Sequence, residues 1–229
     1  MIFPVEIKNL HFTYPESKKS ILNGIELRIN KGEVITIVGL SGCGKSTLCY
    51  CICGIIPHVF EGDMQGEVLI FGNSTKNMKL PVISTNVGIV FQDPDTQLFS
   101  PTVEDEIAFG PENLCVERDE IGKRISKNLE LVAMEKNRYA NPENISGGEK
   151  QLIALASTLS LNPQIIIFDE AMSQIDDAGK LKIKKAIRDL KAAEKAIIMV
   201  EHDLANIDVV DRVMLLKEGE LTGFKGSLQ

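Results

Sequence analysis

Short apolar segments alternate along the chain with longer stretches whose apolar residues recur every three or four positions, which is the arrangement of an α/β chain. Residues 5–12 and 25–29 read as strands of an N-terminal antiparallel part, and 66–71 adds a third strand. Residues 33–38 (Glu-Val-Ile-Thr-Ile-Val) read as a buried strand that runs straight into Gly39, with a helix expected from Lys45 to about Cys53. Residues 87–91, 164–168, 196–200 and 212–216 are further strands, each bounded by turn residues. Between about 93 and 160 the strand pattern stops, and Ile121, Ile125, Leu129 and Val132 repeat at helical spacing. A helical lobe inserted between two strands of the main sheet is the expectation there. Farther on, Ile183, Ala186, Ile187 and Leu190 mark an amphipathic helix. The chain therefore reads as a single domain over 1–229, with a core from 1–92 and 161–229 and a helical subdomain at about 93–160.

Composition narrows the classes. The 229 residues are 44% apolar and 25% charged, with a net charge of −7. Those values suit a globular chain and exclude disordered and fibrous architectures. Apolar runs such as Ile165–Phe168 fall far short of the about 20 residues a membrane span needs, and residues 1–6 show no basic region leading into an apolar stretch, so no signal peptide is expected. The acidic balance argues against nucleic acid as a partner. Cys49, Cys51 and Cys53 alternate without the spacing of a zinc site, so they are expected as small buried hydrophobes. Residues 180–195 carry seven Lys/Arg and two Asp/Glu, and this reads as a solvated helix face.

The candidate chemistry begins at Gly39-Leu40-Ser41-Gly42-Cys43-Gly44-Lys45-Ser46, which matches G-x-x-x-x-G-K-[ST] and is followed by Thr47. Glycines let successive backbone N–H groups turn inward around an anion, and the start of the next helix adds its dipole. Lys45 can reach the β- and γ-phosphates, and the Ser46 hydroxyl can coordinate Mg²⁺. Such a loop needs an acidic partner. Ile165-Ile166-Ile167-Phe168-Asp169-Glu170 is an apolar strand ending in two carboxylates, Asp169 placed to hold Mg²⁺ and Glu170 to orient or deprotonate a water. Between the two lies Ile145-Ser146-Gly147-Gly148-Glu149-Lys150-Gln151, a second anion-binding helix cap. One triphosphate rarely needs two caps in one chain. A head-to-tail dimer, with this cap facing the γ-phosphate on the partner's loop, resolves the excess.

With Ser146-Gly147-Gly148 the sequence resembles the ATP-binding-cassette ATPases, whose signature is Leu-Ser-Gly-Gly-Gln; Ile145 and Glu149 are variants of it. The resemblance implies a P-loop NTPase with a RecA-like parallel sheet, an N-terminal antiparallel part and an inserted helical subdomain. It also implies ATP with Mg²⁺ and roles for further residues. Tyr14 would stack on adenine, Gln92 would contact Mg²⁺ and the attacking water, the 173–176 loop would speak across the dimer, and His202 would steady the γ-phosphate.

Two stretches look like the ATPases of energy-coupling-factor transporters. One is Gly54-Ile55-Ile56-Pro57-His58; the other runs from Phe91-Gln92-Asp93-Pro94-Asp95 to Phe99 and on through residues 103–113. Glu170-Ala171, where most cassettes have Glu-Pro, fits the same group, whereas Leu152 and Met172 depart from the usual Arg and Thr or Ser. The resemblance implies a prokaryotic ATPase peripheral to the cytoplasmic face of the cell membrane. Its partners would be a second cassette chain, a transmembrane coupling subunit and a substrate-binding membrane subunit, serving uptake of a vitamin or a transition-metal ion. The length suits one cassette with its helical lobe and no C-terminal extension. The same motifs also occur in soluble cassette ATPases of iron–sulfur cluster assembly.

Overall fold

Branched aliphatic residues dominate the segments that become the main sheet, because strands buried on both faces have no polar side to present. The computed structural model describes residues 2–173, 175–201 and 208–224. In chain order these form β1 (Val5–Thr13), β2 (Leu22–Ile29), β3 (Val34–Val38), α1 (Lys45–Ile52), α2 (Ile55–His58), β4 (Asp63–Ile70), β5 (Asn73–Ser74), α3 (Leu80–Ser84) and β6 (Val87–Val90). They continue with α4 (Val103–Asn113), α5 (Arg118–Leu131), α6 (Gly147–Ser160), β7 (Ile165–Asp169), α7 (Asp177–Ala192), β8 (Ala196–Val200), β9 (Arg212–Lys217) and β10 (Glu220–Gly223).

The main sheet has the order β10-β9-β3-β8-β7-β6, parallel except for the β9–β10 pair. Its residues alternate between two apolar clusters. Ile35, Ile37, Ile165, Ile167 and Ile198 face one, which includes α1 and the inner face of the second sheet. Val34, Ile166, Phe168, Ile197 and Met199 face the other, shared with α4, α5, α6 and α7. The second sheet, β2-β1-β4-β5, is antiparallel. The α/β class, the antiparallel N-terminal part and the helices between β6 and β7 all agree with the expectation from sequence.

Some details differ. β4 starts at Asp63, three residues early, and stops at Ile70 because Phe71 and Gly72 turn at φ 49° and 82°. α4 and β10 were not foreseen. α4 is short of apolar residues and carries Pro111, but Thr102 caps it by accepting from Asp105 N–H. The basic face of α7 is less solvated than expected, since Lys184 and Arg188 both pair with Asp208, and Lys191 pairs with Asp211. Cys49 and Cys51 of α1 and Cys53 just after it are buried in the apolar cluster. Burial pushes their thiols up, that of Cys53 to about 11.

Candidate functional site

Parallel strands place all their C-terminal ends along one edge of a sheet, and ligands gather at that edge. Here β3 runs into the phosphate loop, β7 ends in Asp169 with Glu170 next, and β8, which separates them, leads to Glu201. The loop needs its glycines for two separate reasons. Gly42 and Gly44 lie at φ 76° and 106°, and a Cβ on Gly39 would stand 2.4 Å from the backbone oxygen of Leu216.

Lys45 opens α1 yet is only 4% exposed. Its Nζ donates to the carbonyl oxygens of Gly39 (3.0 Å) and Leu40 (3.1 Å) and lies 3.7 Å from Glu170 Oε1. Ser46 Oγ donates to Asp169 Oδ1 at 3.2 Å. Thr47 Oγ1 is 3.2 Å from the hydroxyl of Tyr14, whose ring packs edge-on against Phe12. Tyr14, Ser41, Gly42, Gly44, Lys45, Ser46, Thr47 and Glu170 line one cleft of about 250 Å³. Leu40 is exposed and Cys43 half-buried in the same turn. Ile21, at the cleft wall 2.9 Å from where a Gly44 Cβ would stand, was missed from sequence, for an isolated apolar residue beyond a polar turn carries no motif.

Glu170 adopts φ 55°, a left-handed conformation that is strained for a side chain with a Cβ. Its N–H donates to Val200 O and its carbonyl accepts from Ser173 N–H, so both neighbours hold the strained turn that sets the carboxylate beside Lys45. Gln92, just past β6, donates from Nε2 to Ser173 Oγ at 3.5 Å. The segment after it is fastened from three sides. Glu106, 2% exposed, accepts the N–H groups of Phe99 and Ser100; Lys150 bonds Asp95 at 2.6 Å; Gln151 donates to Phe91 O at 2.7 Å.

Ser146, Gly147 and Gly148 are set apart from this cluster. Ser146 caps α6 in a capping box with Glu149, each side chain bonding the other's backbone N–H. The Ser146 N–H and hydroxyl hold the Glu149 carboxyl below the usual carboxylate range. Nothing lies within 4 Å of a Cβ at Gly147. Ser146, Gly148, Glu149, Asp176 and Gly179 line a separate cleft of about 440 Å³. One chain therefore joins Tyr14, Lys45–Thr47, Asp169 and Glu170, and it leaves the 146–148 cap elsewhere. His202 and Gln174 lie outside the described residues.

The grouped residues fit a nucleoside triphosphate with a divalent cation. A nearly buried ammonium beside a glycine-rich turn with left-handed Gly42 and Gly44 suits phosphate, and two converging oxygens, Ser46 Oγ and Asp169 Oδ1, suit a hard cation.

Comparison with known proteins agrees with this chemistry. The family model described as ABC transporter matches residues 22–173. An ABC transporter ATP-binding protein of Methanosarcina mazei is 42% identical over 95% of this chain and 38% of its own length. One from Pyrococcus abyssi is 41% identical over 95% of this chain and 78% of its own. The chain thus spans well under half of the Methanosarcina relative. Among solved structures, cbiO1 from Clostridium perfringens, described as part of the ABC transporter complex cbiONQ, superposes with a TM-score of 0.86 at 30% identity, covering 97% of this chain and 88% of that one. A bacterial Atm1-family ABC exporter with ATP bound gives 0.80 at 27% identity, over 96% of this chain and 38% of that one.

Proposed function

Since the chain belongs to the ABC transporter ATP-binding proteins, a family of ATP hydrolases, we propose that it is the ATP-hydrolysing subunit of a membrane importer of the energy-coupling-factor type that takes up a vitamin or a transition-metal ion. The observation that carries the ATPase is the meeting of Lys45 with Glu170 and of Ser46 with Asp169 across β8. The importer reading is supported by the near-complete mutual coverage with cbiO1, a protein described as part of a transporter complex. It is also supported by the fastened 92–100 segment, a preformed surface for a membrane partner. Among the described residues no helix is long and apolar enough to cross a membrane. The partners in this reading are a transmembrane coupling subunit and a substrate-binding membrane subunit. The cassette would sit on the cytoplasmic face of a prokaryotic membrane.

Hydrolysis needs positioning and charge compensation more than covalent chemistry. Tyr14 would stack on adenine, and the 39–44 amides with Lys45 would hold the phosphates. Ser46, Asp169 and Gln92 would hold Mg²⁺, which would supply neutralisation of the phosphate charge. Glu170 would accept a proton from the attacking water as its oxygen bonds the γ-phosphorus and the bond to the β–γ bridging oxygen breaks, and His202 would steady that phosphate. Ser146-Gly147-Gly148 of a second cassette would complete the site, which accounts for its separation from the loop within one chain. The whole forms one cassette, with residues 93–160 as the lobe that moves.

Detergent extraction of membranes that carry the tagged chain tests the transport role. Co-purification of a transmembrane protein is expected. An ATPase recovered wholly without membrane partners would instead favour a soluble assembly role.

A further inference from the structure

Lys184, Arg188 and Lys191 of α7 are matched by Asp208 and Asp211, whereas a second group of cations gathers around a cleft. At the edge of the main sheet where β7 and β8 begin, opposite the phosphate loop, α5 faces the end of α7 across a cleft of about 450 Å³. That is within the size range of small-molecule sites. Leu131, Leu159, Pro163 and Leu190 provide its apolar surface. Lys123, Arg124 and Lys127 from α5 and Lys195 from the turn before β8 provide its charge, against Glu120 and Asp189. Arg124 is taken up by Glu120 and by Ser160 O. Lys123 and Lys127 make no ion pair among the described residues. Lys195, 9% exposed, bonds Asn162 Oδ1 at 2.8 Å, and burial together with the charge of Lys127 lowers its pKa. Lys123 and Lys127 are exposed at the rim and Lys195 is buried behind them, so like charges gather at one cleft in a chain whose net charge is −7.

A second observation points to the same cleft. Asn128, 6% exposed, interrupts the apolar stripe of α5 made by Ile121, Ile125 and Leu129. Its side chain makes no hydrogen bond among the described residues, yet it lines the cleft. Its amide oxygen and nitrogen stay in contact with solvent in the cleft, and an aliphatic residue would continue the stripe without offering hydrogen bonds there. The three lysines outnumber Asp189 by two charges, which is the charge of a phosphate monoester.

We propose that this cleft binds a small phosphate monoester with an apolar body, its phosphate on Lys127, Lys195 and the Asn128 amide and its body against Leu131, Leu159 and Leu190. Lys127 and Asn128 belong to the helical lobe, Lys195 and Leu190 to the core. The ligand therefore clamps the two and is linked to any movement of one against the other. This site does not depend on the transport role.

Phenyl phosphate titrated into the full-length Lys45→Ala chain, whose phosphate loop is disabled, tests it by amide chemical shifts. Saturable shifts are expected at the Asn128 side-chain amide and at residues 193–195. Inorganic phosphate should bind at least tenfold more weakly and benzyl alcohol should give no shift there. Adding Lys127→Gln and Lys195→Gln should weaken phenyl phosphate at least tenfold. Asn128→Leu should do the same without lowering the melting temperature. Absence of saturable shifts at the cleft, or undiminished affinity in either variant, would overturn the proposal.

Discussion

Glu170 carries the sharpest expectation because its position is held by strain as well as by charge. Its left-handed backbone and its 3.7 Å approach to Lys45 hold the carboxylate beside the phosphate loop, where the proposed mechanism needs a proton acceptor. Glu170→Gln should keep ATP binding and lower turnover at least tenfold, as steady-state phosphate release would show; near-parental hydrolysis would remove the role. Lys45→Ala takes away the ammonium that the loop carbonyls hold ready, so tight ATP binding should vanish in equilibrium titration. The cysteines make a separate test of burial. Cys115 is exposed and should react with a thiol reagent at pH 8 at once, and Cys43 should react slowly and be shielded by ATP. Cys49, Cys51 and Cys53 are buried with raised pKa values and should react only after unfolding.

Among the elements, α6 joins the two halves of the proposed mechanism, with its first turn forming the cap and Lys150 and Gln151 reaching the segment behind Gln92. Ser146→Ala should cost about 1 kcal/mol in urea unfolding, the usual worth of such a cap. Glu149 sets the pH dependence of that cap. Bonds from Ser146 hold its folded pKa below the ordinary 4.5, so its contribution is complete above that value and is lost as pH falls through the lowered one. Glu149→Gln should therefore flatten this part of the acid-unfolding curve, and an unchanged curve would show that the ionised carboxylate adds nothing.

Within the whole molecule, the 146–148 cap and the phosphate loop line different clefts, and the proposed complete site takes its cap from a second cassette. Glu170→Gln with ATP should double the particle mass in light scattering, and adding Ser146→Arg should prevent it; a particle that stays single with ATP would refute the shared site. Much of this was legible beforehand. The phosphate loop, the strand ending in Asp169-Glu170 and the helical spacing from Ile121 to Val132 are local patterns, and local steric and hydrophobic rules act on neighbours in the chain. What the pattern could not supply depends on residues far apart in sequence meeting in space. Ile21 entered the cleft wall because it packs on Gly44. Lys184, Arg188 and Lys191 of α7 were matched by Asp208 and Asp211. α4 formed through its Thr102 cap and its packing on α6, and β10 formed only as an antiparallel neighbour of β9. Likewise the lone polar residue in the stripe of α5 gained its meaning only from the cations across the cleft. Chain-local chemistry specified the strands, the loop and the identities of the reacting groups. Burial and long-range pairing, which no window of neighbours contains, specified what those groups face.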